Sequence, residues 1–166
     1  LGNIDRSSPS GQRDYALFAL MLNTGARVHE VLNLKACDVR LESPHQVRFV
    51  GKGNKVRLCP IWPRTAKLLA ALMASNRGAR DDDPAAARIF QNRRGEPLTR
   101  FGVRYLLRKH LPNRLSGGSG AGKRIHPHAL RHTTAVYLLK AGVDFAIISQ
   151  WLGHASLNTT MRYARA

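Results

Sequence analysis

From Tyr15 to Leu22 every residue is apolar or aromatic and helix formers dominate, so this run sets the first constraint on the fold. It falls well short of the roughly 18 residues that a membrane span needs. It therefore predicts a helix buried on most sides, around which a domain packs its core. Asn23-Thr24-Gly25-Ala26 breaks that helix, and Arg27 to Leu34 resumes helical spacing with Val28, Val31 and Leu32 inward. Arg27 and Glu30 share an edge at the start of this second helix, where the glutamate is placed to orient the arginine. His29-Glu30 opens like a zinc-protease motif, but Asn33 stands where that motif needs its second histidine.

The rest of the chain places a strand-like region among further helices. Asp38 to Leu41, Gln46 to Val50 and Lys55 to Cys59 have strand composition. Gly51-Lys52-Gly53-Asn54 between the last two predicts an antiparallel hairpin with Lys52 at its tip. Pro63 opens a helix through about Asn76, with Leu68, Leu69, Leu72 and Met73 as its stripe. A loop follows from Arg77 to Ala87, then a short strand at Ile89-Phe90-Gln91, a turn at Arg93-Arg94-Gly95, and a helix from a Thr99 cap to about Leu111. A helix from Pro127 to Lys140 ends before Gly142. Asp144 caps the next, with Ile147, Ile148, Trp151 and Leu152 on its buried face, and Ser156 caps the last. Residues 1–12 are polar and rich in Ser, Gly and Pro, which predicts a linker or arm before a single domain over 13–166. The first residue is leucine and no signal-peptide pattern follows, so the chain is expected to be part of a longer protein.

Charge narrows the function. Lys and Arg number 27 against 10 Asp and Glu, a net +17, and three of the acids sit together at Asp81-Asp82-Asp83. Such a field points to a polyphosphate partner, with an anionic membrane second. The membrane falls away, because no segment is a span and no amphipathic stretch joins a lysine-rich face to exposed aromatics. Arg100, Arg104, Arg108 and Lys109 on one helix, and Lys55 beside the hairpin tip, are candidate contacts to a nucleic-acid backbone. Cys37 and Cys59 are too few for a disulfide scaffold and are expected to be reduced and buried in a cytoplasmic protein. Gly117 to Lys123 approaches a P-loop, but Arg124 stands where Ser or Thr would hold the metal, so a glycine-rich loop is the better reading. His126, His128 and His132 have metal-ligand spacing without a cysteine or carboxylate beside them, and no metal or other cofactor is expected.

The last forty residues carry the chemistry. His128 and Arg131 stand three apart just after Pro127, so both leave one face of a helix's first turn, where a phosphate is favoured. His154 follows an apolar stripe and the helix-ending Gly153, and Tyr163 lies nine residues on. The group reads as an anion site with a phenol nearby.

Taken in order, Thr24-Gly25-Ala26-Arg27 with Glu30, Gly51-Lys52-Gly53-Asn54-Lys55, His128-Ala129-Leu130-Arg131-His132, Leu152-Gly153-His154 and Thr159-Thr160 before Tyr163 closely resemble the catalytic domain of the tyrosine recombinase (phage integrase) family. The resemblance runs from about residue 11 to the end. It implies a mainly α domain with a small antiparallel β-sheet at one edge (α+β), preceded in the parent protein by a core-binding domain. It implies that Tyr163 attacks a DNA phosphodiester, leaving a 3′-phosphotyrosyl link and a free 5′-hydroxyl. Arg27 and Arg131 would clamp the phosphate, Lys52 would act as general acid, His128 in proton transfer, and His154 would hydrogen-bond the phosphate. The partner would be double-stranded DNA, with the full-length protein a tetramer on two sites and the isolated domain a monomer. Family members commonly carry a longer segment after the tyrosine than the three residues present here. A type IB topoisomerase-like enzyme and a catalytically inactive DNA-binding module stand as alternatives.

Overall fold

The computed structural model describes residues 1–76, 83, 85–110 and 126–153, with Lys52 described by its backbone alone. The apolar run lies in helix α1, Pro9–Thr24. Ser8 caps it, its Oγ accepting the Gly11 N–H at 3.1 Å, and Pro9 opens the first turn. Gly25 ends it at φ +60°, donating its N–H to the Met21 carbonyl at 2.8 Å. Leu17, Phe18 and Leu20 are fully buried, each contributing about 1.5–3 kcal/mol by leaving water. The helix starts earlier than the arm expected over residues 1–12 would allow, and Ile4 before it is buried in the same core.

Helix α2, Val28–Leu32, follows at once and places Val31 and Leu32 in the core. Strands β1 (Val39–Arg40), β2 (Gln46–Val50) and β3 (Val56–Pro60) form an antiparallel sheet in the order β1-β2-β3. The register sets Val47 opposite Cys59 and Phe49 opposite Arg57, and these four share the inward face. Gly51 donates its N–H to the Lys55 carbonyl at 2.8 Å, closing a tip in which Lys52–Asn54 form a 3-10 turn. Gly53 and Asn54 both have positive φ there, a conformation that glycine and asparagine tolerate best.

Helix α3, Pro63–Asn76, buries Leu69 and Leu72 against α1, with Leu68 and Met73 partly buried beside them. Helix α4 spans Arg100–His110, its Thr99 cap accepting the Gly102 N–H at 3.1 Å. Helices α5 (Pro127–Lys140) and α6 (Phe145–Leu152) complete the described chain, with α5 packed on α1 and α6 on both α5 and β3. Asp144 caps α6, and Gly142 lies just past the end of α5 in a left-handed conformation. The mainly helical fold with its small sheet therefore matches the expectation.

Three local expectations need correction. Ile89-Phe90-Gln91 is not a strand: Arg88 bridges to Lys35 and Gln91 to Pro97, so no ladder forms, and Ile89 and Phe90 serve as core side chains. Cys37 is exposed, because its turn directs the next residue inward: Asp38 accepts the Lys35 N–H at 3.1 Å and pairs with Arg48 at 2.6 Å. Cys59 is buried, and burial pushes its thiol up to about 12. Ile147 is 51% exposed, since Ile148 and Leu152, one turn apart, form the stripe that packs on Ala135 of α5. Trp151 is half-buried and donates its indole N–H to the Asn23 carbonyl at 3.3 Å.

Gly25 is the tightest joint. A Cβ there would lie 2.4 Å from Leu152 Cδ2, on a backbone already in the left-handed region. Gly25→Ala is expected to cost about 2–4 kcal/mol, combining αL strain with overpacking, read from the urea midpoint at unchanged slope.

Candidate active site

Arg27 is the N-cap residue of α2. Glu30, three residues on, reaches back so that its Oε2 accepts the Arg27 N–H at 2.7 Å, while its Oε1 lies 3.7 Å from Arg27 Nη1. The glutamate is buried and the arginine side chain 38% exposed, so the guanidinium is steered at its root and open to solvent at its end.

Arg131 is anchored differently. It is 5% exposed, and its Nη1 donates to the Gly25 carbonyl at 2.6 Å and its Nη2 to the Leu152 carbonyl at 2.5 Å. One planar side chain thus joins α5, the loop that leads to Arg27, and the C-terminal end of α6. A cation suits that end because the last carbonyls of a helix carry partial negative charge. Thr134, one turn along α5, adds a bond from its Oγ1 to the Leu22 carbonyl at 2.8 Å. His128 stands exposed in the first turn of α5, its ring edge-on to His126 at 6.2 Å. It is the open end of the face whose inner end Arg131 occupies.

The hairpin joins this group through a residue absent from the expected set. Arg57 Nη2 lies 3.1 Å from Glu30 Oε2, its Nη1 donates to the Trp151 carbonyl, and its guanidinium carbon sits 4.7 Å from the centroid of Phe49. Gly51 at the base of the tip is close enough to Glu30 that an added Cβ would meet Oε1 at 3.5 Å. Glu30 therefore touches Arg27, the tip and Arg57. Burial alone would raise its pKa; the charges of Arg57 and Arg27 and the hydrogen bonds from the Arg27 backbone and Arg57 outweigh that and hold it below the usual value. The only signal for Arg57 in the sequence is its strand parity with Cys59, two residues on.

Of the expected residues, the structure brings Arg27, Arg131 and the Lys52 hairpin to one junction with the end of α6. Lys55 is exposed beside the tip. Arg100 and Arg104 are exposed on α4, Arg100 lying 5.0 Å from the Phe101 ring centroid. Neither shares a hydrogen bond or ion pair with the junction among the described residues. His29, Lys35, Arg48, Gly51, Asn54 and Arg88 line an open cleft of about 650 Å³ next to the tip. His154, the Ser156 cap, Tyr163 and the glycine-rich segment 117–123 lie outside the described residues.

Arg27, Arg131 and the base of the hairpin that carries Lys52 thus meet the end of α6 at one place on a mainly helical domain. The phage integrase family pattern matches residues 1–166, and the chain belongs to this family. It is 40% identical over 162 residues to the tyrosine recombinase XerC of Bacillus pumilus, which covers 96% of this chain and 51% of that protein. It is 35% identical over 159 residues to the tyrosine recombinase XerD of Corynebacterium glutamicum, over 96% and 50% of the two chains. The crystal structure of the XerH site-specific recombinase bound to difH substrate, a pre-cleavage complex, superposes with a TM-score of 0.80 at 26% identity, covering 98% of this chain and 45% of that one. The chain spans about half the length of the curated relatives it matches.

The lowered pKa of Glu30 gives the site a pH signature. A carboxylate whose folded pKa lies below its ordinary 4.5 stabilises the fold above that value and loses the contribution as pH falls through the folded pKa. Urea unfolding is expected to show Glu30→Gln about 3 kcal/mol less stable at pH 7, with the gap narrowing below pH 4.5 as the wild type loses its carboxylate.

Proposed function

We propose that this chain is the catalytic portion of a tyrosine-type site-specific recombinase that cleaves and rejoins double-stranded DNA. The observation that carries the reading is the double anchoring of Arg131, which seats a guanidinium between the Arg27 loop and the helix end that leads into His154. Family membership and the +17 charge support the substrate class.

The chemistry follows from the residue types. The phenolic oxygen of Tyr163 attacks phosphorus, forming a 3′-phosphotyrosine as the bond to the 5′-oxygen breaks. A phenol titrates near 10, so it needs a proton acceptor, the role of His128, and neighbouring cations that favour its oxyanion. Arg27 and Arg131 stabilise charge gathering on the non-bridging oxygens, for which a planar, permanently charged fork is suited, and His154 donates a hydrogen bond to the same phosphate. Lys52, on the exposed hairpin tip, gives its proton to the departing 5′-oxygen. The tyrosyl link conserves the energy of the broken bond, so a 5′-hydroxyl can rejoin by the reverse path. Lys55, Arg100 and Arg104 contribute backbone contacts on the flanking duplex. In the full-length protein this portion follows a core-binding domain and works as a tetramer on two DNA sites in the cytoplasm.

Tyr163→Phe is expected to abolish covalent attachment to a nicked suicide duplex while duplex affinity stays within about threefold of wild type. Equal covalent yield from both proteins would remove the assignment. Relaxation of plain supercoiled DNA with repeated turnover would move the reading to a topoisomerase.

A second measurement addresses Lys52. Replacing the 5′-bridging oxygen by sulfur provides a thiolate that leaves without a proton, so Lys52→Ala, slowed about 100-fold or more on the oxygen duplex, is expected to regain most of its rate. Arg131→Ala is expected to stay slow on both. No recovery of Lys52→Ala with sulfur would contradict the general-acid role.

A further inference from the structure

Arg57 has no part in the roles assigned above, yet its side chain ties three elements together. We propose that it is a positioning residue of the strand-cleavage site, fixing the base of the hairpin against α2 and α6 so that Lys52 is delivered to the leaving oxygen. The proposal rests on the strand-cleavage reading.

Arg57 stands opposite Phe49 in the last part of the ladder before the tip closes between Gly51 and Lys55. Its guanidinium lies over the Phe49 ring and so grips both strands of the hairpin below Lys52. From there it reaches Glu30 of α2 at 3.1 Å and the Trp151 carbonyl of α6. The α6 end lies flush against it: a Cβ on Gly153 would come within 2.8 Å of Arg57 Cδ and 2.9 Å of Nε. Glu30 is the same carboxylate that holds the Arg27 backbone, so the hairpin and one arm of the proposed phosphate clamp share one buried anion.

The residue type fits the task. A planar fork meets two acceptors in different elements while its face stacks on an aromatic ring; an ammonium is a point charge without that plane. A lysine on an exposed tip can occupy many positions, and a fixed hairpin base narrows that range toward the one in which its proton is useful. Arg57 itself is 12% exposed by side chain; its two Nη groups turn toward Glu30 and Trp151, and its buried Nε has no hydrogen-bond partner among the described residues. It acts through the backbone it holds.

The test is single-turnover covalent cleavage of the nicked suicide duplex by the purified chain, with either oxygen or sulfur at the 5′-bridging position. Wild type, Lys52→Ala, Arg57→Lys and Arg57→Ala are compared, with duplex affinity and melting measured for each. Arg57→Lys keeps the charge near Glu30 and a stem on Phe49, so it reports on the site even if Arg57→Ala fails to fold. On the oxygen duplex Arg57→Lys is expected to be slower by about 30-fold or more, with affinity within about threefold. On the sulfur duplex, which needs no proton, it is expected to fall within about threefold of wild type. Equal slowing on both duplexes, or no slowing on either, overturns the proposal, as does failure of sulfur to rescue Lys52→Ala. A wild-type chain that binds the duplex yet forms no adduct on either substrate fails at the earlier step, the strand-cleavage reading itself.

Discussion

Two guanidiniums hold consecutive carbonyls at the C-terminal end of α6, Arg57 on Trp151 and Arg131 on Leu152, and the geometry of the site depends on this pair. The end of a helix presents carbonyls with no partner of their own, so a cation placed there supplies donors to them. Each arginine also reaches a second element: Arg57 comes from the sheet and bonds Glu30, while Arg131 comes from α5 and bonds Gly25. The end of α6 is thereby fixed against α2, α5 and the hairpin. The glycines at 25 and 153 make this possible, since a methyl group at either would occupy space that Leu152 or Arg57 fills.

The same economy governs the charges. The three described acids that are buried are all paired with arginines: Asp14 with Arg13 at 2.5 Å, with the His110 ring also at 2.8 Å, Asp38 with Arg48, and Glu30 with Arg27 and Arg57. A buried carboxylate without a partner would be costly, so each draws in an arginine or histidine and joins two elements as it does so. Asp14 ties the end of α4 to α1, and Arg13 continues the link to the Gln91 carbonyl at 3.1 Å.

Much of the fold was legible in the sequence because its signals are local. Pro63 and Pro127 open helices at the expected residues, and Gly25, Gly142 and Gly153 mark ends in left-handed conformations. The Gly-Lys-Gly-Asn stretch turns the hairpin where a glycine- and asparagine-rich tip is expected. The misreadings share a cause. Ile89-Phe90-Gln91 has strand composition, but a strand needs a neighbour along its length, and only single bridges are available to its flanks. Cys37 and Ile147 are apolar side chains whose burial depends on what packs beside them. For the candidate site, Arg27, Lys52, His128 and Arg131 stood out by motif, whereas Arg57 is marked in the sequence only by its strand parity with Cys59.

By itself, the sequence determined where most of the described helices start or stop, that a hairpin presents Lys52, and that the chain is strongly basic, since caps, turns and charge are properties of short segments. The tertiary structure alone decided which face of β3 points inward. Val56 and Leu58 are 55% and 57% exposed while Arg57 and Cys59 turn in. Simple apolar alternation would place them the other way. What reverses it is an interaction across 27 residues to Glu30 and 94 to Trp151, together with the Phe49 ring on the facing strand. Turning Arg57 inward is favourable because an anion, a carbonyl and a π-face converge on it, and that convergence exists only once the chain has folded.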